Sequence, residues 1–502
     1  MQTSQRRQEG SERVRQASVR ALAVLWRGLA LALVLPLVLP SPAVRAAGIE
    51  HPDIGTVSIG RGGANAAAPS DGVAIFYNPA GLAAQQGLRL TLDANLSWQG
   101  LTFTPTGSAT TVSNSAGGFL VPALAVSYGF GAVTVALGAT GPSAIGKEKY
   151  PSGAAGPQRY SLIESDYFIV DYSAAVAAAI NRWLSAGLTI QLVQGRAAFS
   201  QAVWSGPTMD TDPVYDSLAK INVSSSPIPT WVAGVTVRPT PALALGLSYR
   251  PGFDFLAHGT LTTQAPAALA GPLNIEVHGD QTDFFVAFPD VIRLGAQYQL
   301  GPRWLVEADV VAERWSRLHA IEIRPQNITI TASTYPTPRP LQNIVFQKDF
   351  QDAVSFRVGG DFVALPGRLT VRAGYLHETS AIPLRSVSVD FGNWQRDVVS
   401  AGATVVLWPG VTASVAYAHH FLADQNVTNS QVVQIITPCL ASADCVEPPA
   451  TAVGNGRYTG SLDVASLSLG FVLDDLRAAR RGTMPAPAPG APASGGGVYP
   501  VQ

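Results

Sequence analysis

Residues 89–98 read RLTLDANLSW, with Leu90, Leu92, Ala94, Leu96 and Trp98 on one face and Arg89, Thr91, Asp93, Asn95 and Ser97 on the other. A period of two with one apolar face is a β-strand lying between an apolar and a polar medium. The pattern recurs. Trp304, Val306, Ala308, Val310 and Ala312 oppose Leu305, Glu307, Asp309 and Val311, and Leu184, Ala186, Leu188, Ile190 and Leu192 oppose Ser185, Gly187, Thr189 and Gln191. The same alternation runs through 243–250, 292–300, 354–362 and 369–375. Taken alone it suits a soluble sandwich and a membrane barrel equally.

Counting separates the two. The spacing predicts strands at 88–98, 122–130, 133–140, 167–179, 183–197, 230–238, 242–250, 290–300, 303–315, 353–363, 368–377, 397–407, 411–421 and 461–473, which is fourteen, an even number. Their connections alternate between tight turns (131–132, 180–182, 239–241, 301–302, 365–367, 408–410) and loops of 19 to 39 residues. Short turns at one end and long loops at the other mark an up-and-down outer-membrane barrel. Its polar faces, with Arg293, Arg357 and Arg372, then line the lumen, where lumenal arginines, Arg89 included, are expected to pair with Asp93, Glu307 and Asp361. Trp98, Tyr249, Trp304 and Tyr375 sit at strand ends as interface aromatics.

Composition agrees with an all-β membrane protein. Of 502 residues 47% are hydrophobic and only 13% are charged, about half the charge of an ordinary soluble chain. No mature segment supplies the roughly 20 consecutive apolar residues of a transmembrane helix. Residues 1–46 read as an export signal: Arg6, Arg7, Arg13, Arg15, Arg20 and Arg27, then an apolar stretch at 28–39, then the small-residue site Val44-Arg45-Ala46, with cleavage after Ala46 and Ala47 as the close rival. Removing seven arginines and two glutamates leaves 26 basic against 32 acidic residues, net −6, no footprint for nucleic acid. Cys439 and Cys445, in a turn-rich segment of an exported chain, read as a loop-closing disulfide.

Two segments lie outside the strands. Residues 47–87, rich in Gly, Ala and Asn, suit a compact irregular structure within the lumen, and 474–502 form a Pro/Ala/Gly tail expected to be flexible. Gly60-Arg61-Gly62-Gly63 lacks the Gly-Lys-Ser/Thr of a phosphate loop. Ser217-Leu218-Ala219-Lys220 imitates an acylating Ser-x-x-Lys without its partner motifs. Asp210, Asp212 and Asp216 suit a solvated loop better than Ca²⁺, and His419-His420 suits an interface better than a metal. No catalytic constellation, metal set or cofactor motif emerges.

At 48–83 the sequence, GIEHPDIGTVSIGRGGANAAAPSDGVAIFYNPAGLA, resembles the N-terminal hatch of the FadL/TodX family, outer-membrane transporters for long-chain fatty acids and aromatic hydrocarbons. The matching features are Gly60-Arg61-Gly62-Gly63, Asp71 and Asn78-Pro79-Ala80. The hairpins at 288–316, 346–362 with 369–383, and 398–421 resemble the family's later ones. The last strand departs: it carries Phe471 but runs through Asp474-Asp475 into the tail, where barrels of this kind end on an aromatic residue read by the insertion machinery.

The resemblance implies a fourteen-stranded antiparallel barrel, 88–473, closed by a hatch, 47–87. It implies a passive monomeric transporter in the outer membrane of a Gram-negative bacterium, surrounded by lipid and lipopolysaccharide and inserted by the barrel-insertion machinery. A hydrophobic small molecule is its ligand. Gly60, Gly62, Asp71, Asn78, Pro79 and Ala80 are then hatch residues, the alternative for Asn78-Pro79-Ala80 being a turn into strand one. Phe346 and Lys348 fall where fatty-acid members place a basic residue, so Lys348 is the candidate head-group contact. A kinked third strand is implied at Gly138, Gly141 and Pro142, where ligand leaves sideways through the wall; the alternative is that Gly141-Pro142 only ends the strand. A general porin, an adhesin-type barrel and a surface enzyme are the rival functions.

Overall fold

The computed structural model describes residues 53–141, 146–206, 211–392, 394–436 and 450–480. Fourteen strands pair in chain order into a closed antiparallel barrel: β1 Gly87–Pro105, β2 Phe119–Phe130, β3 Val133–Thr140, β4 Glu164–Ala179, β5 Leu184–Trp204, β6 Ile228–Thr240, β7 Leu243–Arg250, β8 Val291–Leu300, β9 Trp304–Glu313, β10 Ala353–Leu365, β11 Leu369–Glu378, β12 Arg396–Trp408, β13 Val411–Leu422 and β14 Gly456–Val472. Closure is made by seventeen residue pairs between β1 and β14, from Arg89↔Val472 to Pro105↔Gly456. No sheet edge is left within the wall, as a bilayer requires.

The membrane face is plainest in β2, where every second residue is buried and the others, Leu120, Pro122, Leu124, Val126, Tyr128 and Phe130, point outward and are exposed. Exposed leucines, valines and aromatics continue on neighbouring strands. An apolar belt of this extent has lipid as its medium. Trp98, Trp304 and Tyr375 are exposed, but only Trp304 stands at a strand end, since β1 runs on to Pro105 and β11 to Glu378; Tyr249 is half-buried against Trp231. Four of the short turns carry a glycine at positive φ (Gly131, Gly301, Gly367, Gly410), a conformation other residues adopt at a penalty.

Several strands run further outward than the alternation foretold. β5 reaches Trp204, and its last four residues, Gln201–Trp204 by number 201–204, are all buried. Beyond the membrane both faces of such a strand are covered by loops, so the period of two disappears. The loops themselves fold into sheet: strands Asp216–Ser224, Asp254–Gln264, Gln281–Ala287, Ala320–Pro325 and Ile344–Gln347 extend in succession from the outer half of β5. The largest apolar cluster, including Phe255, Phe284, Trp315, Phe350, Trp394 and Tyr458, lies among these loop strands and the outer strand ends. The segment after β14 also differs from the expectation of an irregular tail from 474. It opens with a helix, Leu473–Arg480, whose first turn holds Asp474 and Asp475, the acidic placement a helix N-terminus favours.

Candidate functional site: the hatch and the cavity above it

Residues 53–86 lie inside the barrel and bond to strands on all sides. They form two short helices, α1 Thr56–Gly60 and α2 Ala74–Tyr77, and a 3-10 turn, Pro79–Ala84. The Thr56 amide and hydroxyl donate to Asp93 of β1 (2.7 and 2.5 Å). Arg61 donates through Nε and Nη2 to both oxygens of Asp361 on β10 (2.8 and 2.7 Å). The Asn65 and Ala66 amides share Asp309 of β9 (2.7 and 2.8 Å), and the Ala67 amide takes Glu307 (2.8 Å). Thr189, Thr236 and Ser248 donate to the carbonyls of Ile75, Ala67 and Tyr77. The wall's acids thus serve the hatch, which corrects the expected pairing within the wall. Arg372 pairs with a lumenal acid, Asp361, at 3.2 Å; Arg357 takes Asp53 of the hatch, Arg293 stands 5.5 Å from the centre of the Tyr77 ring, and Arg89 donates to the Gln86 carbonyl.

The wall receives the hatch on paired glycines. Gly187 faces Gly234, Gly246 faces Gly295, and Gly359 faces Gly374 across adjacent strands. A Cβ would lie 2.4 Å from Pro79 at Gly187, 2.1 Å from the Asn78 side chain at Gly234, 2.3 Å from the Ala66 carbonyl at Gly246, and 2.0 Å from the Arg61 backbone at Gly374. Each pair removes two side chains so that hatch backbone lies directly on wall backbone. This feature was missed at the sequence level, and its signal is there: inward-facing glycines in register on consecutive strands.

The hatch residues singled out from sequence lie on different sides of the lumen, Asn78 and Pro79 against β5 and β6, Gly60 and Gly62 against β11, and Asp71 near β1. Asn78 is fully buried; its Oδ1 accepts from the Ala80 amide (3.1 Å) and its Nδ2 donates to the carbonyls of Ala66 (2.9 Å) and Val235 (3.2 Å), with Pro79 opening the 3-10 turn. Gly60 packs on the Arg372 side chain, and Gly62 has φ 65° against the Tyr375 backbone. Asp71 lines a small polar cavity at the short-turn end with Gln85, Arg89 and Ser468. Burial, with the Asp93 charge adding, pushes its carboxyl up to about 6, and its Oδ1 has no hydrogen-bond partner among the described residues.

On the long-loop side of the hatch lies an apolar cavity of about 30 Å³ lined by Tyr167, Ile169, Phe255, Phe284, Phe288 and Phe391 among others. Phe346 packs against the same cluster. Lys348 is close by, with its Nζ 4.8 Å from the centre of the Phe391 ring, but it is buried and paired with Asp390 at 2.6 Å. Its charge is already matched inside the protein.

The third strand keeps its pairing through Gly138, which faces Ala125 on β2 and Ser173 on β4 without a register shift. Gly138 points toward the hatch, where a Cβ would meet Ile75 at 3.4 Å. Among the described residues the β3–β4 ladder runs to Thr140↔Asp171, and β4 is paired again at Asp166, by Lys147. Gly141 lies against the Ile169 carbonyl, and the Tyr167 amide donates to the Gly146 carbonyl at 2.8 Å. Tyr167 and Ile169 also line the apolar cavity. Pro142, Cys439 and Cys445 lie outside the described residues, as do the export signal and 481–502.

The remaining motifs dissolve. Ser217 is buried and Lys220 exposed on one strand, so they do not converge. Asp216 is held by Arg159 and Tyr160, while Asp210 lies outside the described residues. His419 bonds Asp463 at 2.6 Å, and its neighbour His420 points to the opposite face.

Residues 37–450 match the family described as outer membrane protein transport protein (OMPP1/FadL/TodX). Among solved structures, the chain is similar to a Pseudomonas aeruginosa FadL homologue (15% identity, TM-score 0.69, 85% of this chain and 100% of that one). It is also similar to the Pseudomonas putida toluene transporter TodX (14%, 0.60, 85% and 100%) and the Ralstonia pickettii toluene transporter TbuX (14%, 0.59, 84% and 98%). At these identities the likeness is one of fold. Among curated proteins none matches the sequence.

Proposed function

The chain belongs to the outer membrane transport proteins of the OMPP1/FadL/TodX family, and we propose that it carries a hydrophobic compound, a long-chain fatty acid or a hydrocarbon, inward by passive transfer. The observation that carries this reading is the arrangement of a bonded hatch beneath an apolar, loop-built cavity. Loops of the outer face capture the compound and part the rings of the narrow cavity. The hatch denies it the aqueous axis, and a sideways exit through the wall at the end of β3, near Gly141, would give it lipid instead. Exposure to water opposes transfer by about 0.8 kcal/mol for each CH₂, so a sideways route is favoured for long chains. A porin needs an open lumen, and here Thr56, Asn65 and Asn78 are each at most 1% exposed. The similar proteins speak for the same class of cargo: TodX and TbuX are toluene transporters.

The test is growth. In a Gram-negative host lacking a transporter of this family, the chain should restore growth on at least one of oleate, hexadecane and toluene as sole carbon source. Failure on all three, with the barrel folded in the outer membrane as judged by its heat-modifiable band, overturns the reading.

A further inference from the structure

A cluster of buried polar groups beside the apolar cavity is left over by everything described so far. In the loop strand Lys147–Lys149 the two lysines face solvent while Glu148 points inward and is 1% exposed. It stands opposite Ser165, 2% exposed, on the outer end of β4. Tyr150, two residues on, is 3% exposed. Both carboxyl oxygens of Glu148, the Tyr150 hydroxyl and the Ser165 hydroxyl lack a hydrogen-bond partner among the described residues. Buried polar atoms are nearly always satisfied, because leaving them bare opposes folding by about 1–3 kcal/mol each. Four in one place, built from three side chains, make a site that a polar group completes.

The cluster adjoins the cavity. Tyr167 and Phe391 stack with ring centres 6.4 Å apart and both line the cavity. Lys348 and Asp390 stand behind Phe391, and the charges of Asp390 and Glu148 both reach the Tyr167 hydroxyl. Ser165, opposite Glu148, lies two residues from the cavity-lining Tyr167 on the same face of β4, so a molecule with an apolar body among Phe255, Phe284 and Phe288 can turn its tip toward Glu148 and Tyr150.

The chemistry of that tip follows from the groups present. Lys348 is spent on Asp390, and Arg196, the cation that lines the cavity, points largely outward over the Phe168 ring and toward Asp166, so an anion at the tip would face Glu148 and Asp390. Burial, with the Asp390 charge adding, holds the Glu148 carboxyl well above the usual carboxylate range; Ser165 comes near enough to ease this slightly without closing a hydrogen bond. A carboxyl, a phenol and a serine hydroxyl between them donate and accept hydrogen bonds. Their complement is a group that also does both and carries no charge.

We propose that Glu148, Tyr150 and Ser165 form a recognition site for the hydroxyl group of a hydrophobic phenol or alcohol whose body occupies the adjoining apolar cavity. This rests on the transport reading and narrows its cargo from hydrocarbons and acids to hydroxylated hydrophobic compounds.

Three probes of one shape test it: butylbenzene, 4-butylphenol and 4-butylbenzoate, titrated calorimetrically into the folded, detergent-solubilised full-length protein. The expected result is that 4-butylphenol binds about tenfold more tightly than butylbenzene, one added hydrogen bond in a dry site, and that 4-butylbenzoate binds more weakly than the phenol. In Glu148→Leu the phenol-to-hydrocarbon ratio should fall to about one, and Glu148→Gln, which still donates and accepts, should restore it. Equal binding of phenol and hydrocarbon, a ratio that survives Glu148→Leu, or preference for the benzoate overturns the proposal, the last by making Lys348 the head-group contact. Butylbenzene that binds while the ratio is one leaves the transport reading standing; no binding by any probe removes that reading as well.

Discussion

Single side chains decide how firmly the hatch is held, and Asp71 adds a dependence on pH. Asp71 belongs to no strand. Its carboxyl is pushed up to about 6 by burial, against about 3.9 when released into water. The docked hatch therefore keeps this proton to a higher pH than the undocked one. Below about 4 both forms are protonated and the docked state loses nothing. As pH rises from there through about 6, ionisation increasingly favours release, and the docking free energy declines. In planar bilayers, brief conductance events should be more frequent at pH 7.5 than at pH 5, and Asp71→Asn should flatten the difference. Events equally frequent at both pH values in the native protein would show that Asp71 does not govern docking. Its place in the hatch was legible from the resemblance; its missing partner was not, because that depends on Asp93, Arg61 and Arg372 arriving from three other segments.

At the scale of elements, strands were legible and their outer ends were not. All fourteen predicted segments fall within observed strands to within a few residues, because each has lipid on one side and a polar lumen on the other. Once β4 and β5 rise above the membrane, that contrast ends. The end of β3, where the sequence reading put a sideways exit at Gly138, Gly141 and Pro142, falls in this unpatterned region. Lys348 shows the same limit: its position was found, but Asp390, 42 residues away, supplies what its function turns on. The end of β3 makes a testable joint. The Cβ of a residue at Gly141 would lie 3.0 Å from the Val170 backbone and 2.9 Å from its side chain. A disulfide formed by Gly141→Cys with Val170→Cys should therefore lock β4 to the end of β3. Uptake of radiolabelled ligand should fall at least tenfold under oxidising conditions and recover with a reductant. Uptake that ignores the cross-link would place the exit elsewhere.

For the molecule as a whole, the barrel and hatch interlock through charges that neither segment could bury alone. Asp309 receives two hatch amides, Glu307 another, and Asp361 stands between Arg61 of the hatch and Arg372 of the wall. An acid buried in a lumen is destabilising unless donors reach it, so the wall's carboxylates select for an occupied lumen. The glycine pairs complete the selection by shape, since they leave hollows that hatch backbone fills. Arg61→Ala removes a bidentate contact from Asp361 and the closest cation, at 3.6 Å, from Glu307. It should weaken docking by about 3 kcal/mol, the lower end for breaking a buried pair because Arg372 still attends Asp361. Removing residues 53–80 altogether should open the lumen, raising single-channel conductance well above that of the native protein, while the heat-modifiable band shows the barrel still closed by β1 and β14. The Arg61→Ala protein should fall between the two, conducting in bursts as the hatch loosens and returns. A deletion that conducts no better than the native chain would mean that something other than residues 53–86 blocks the way, and the apolar seal among the outer loops would be the barrier to examine.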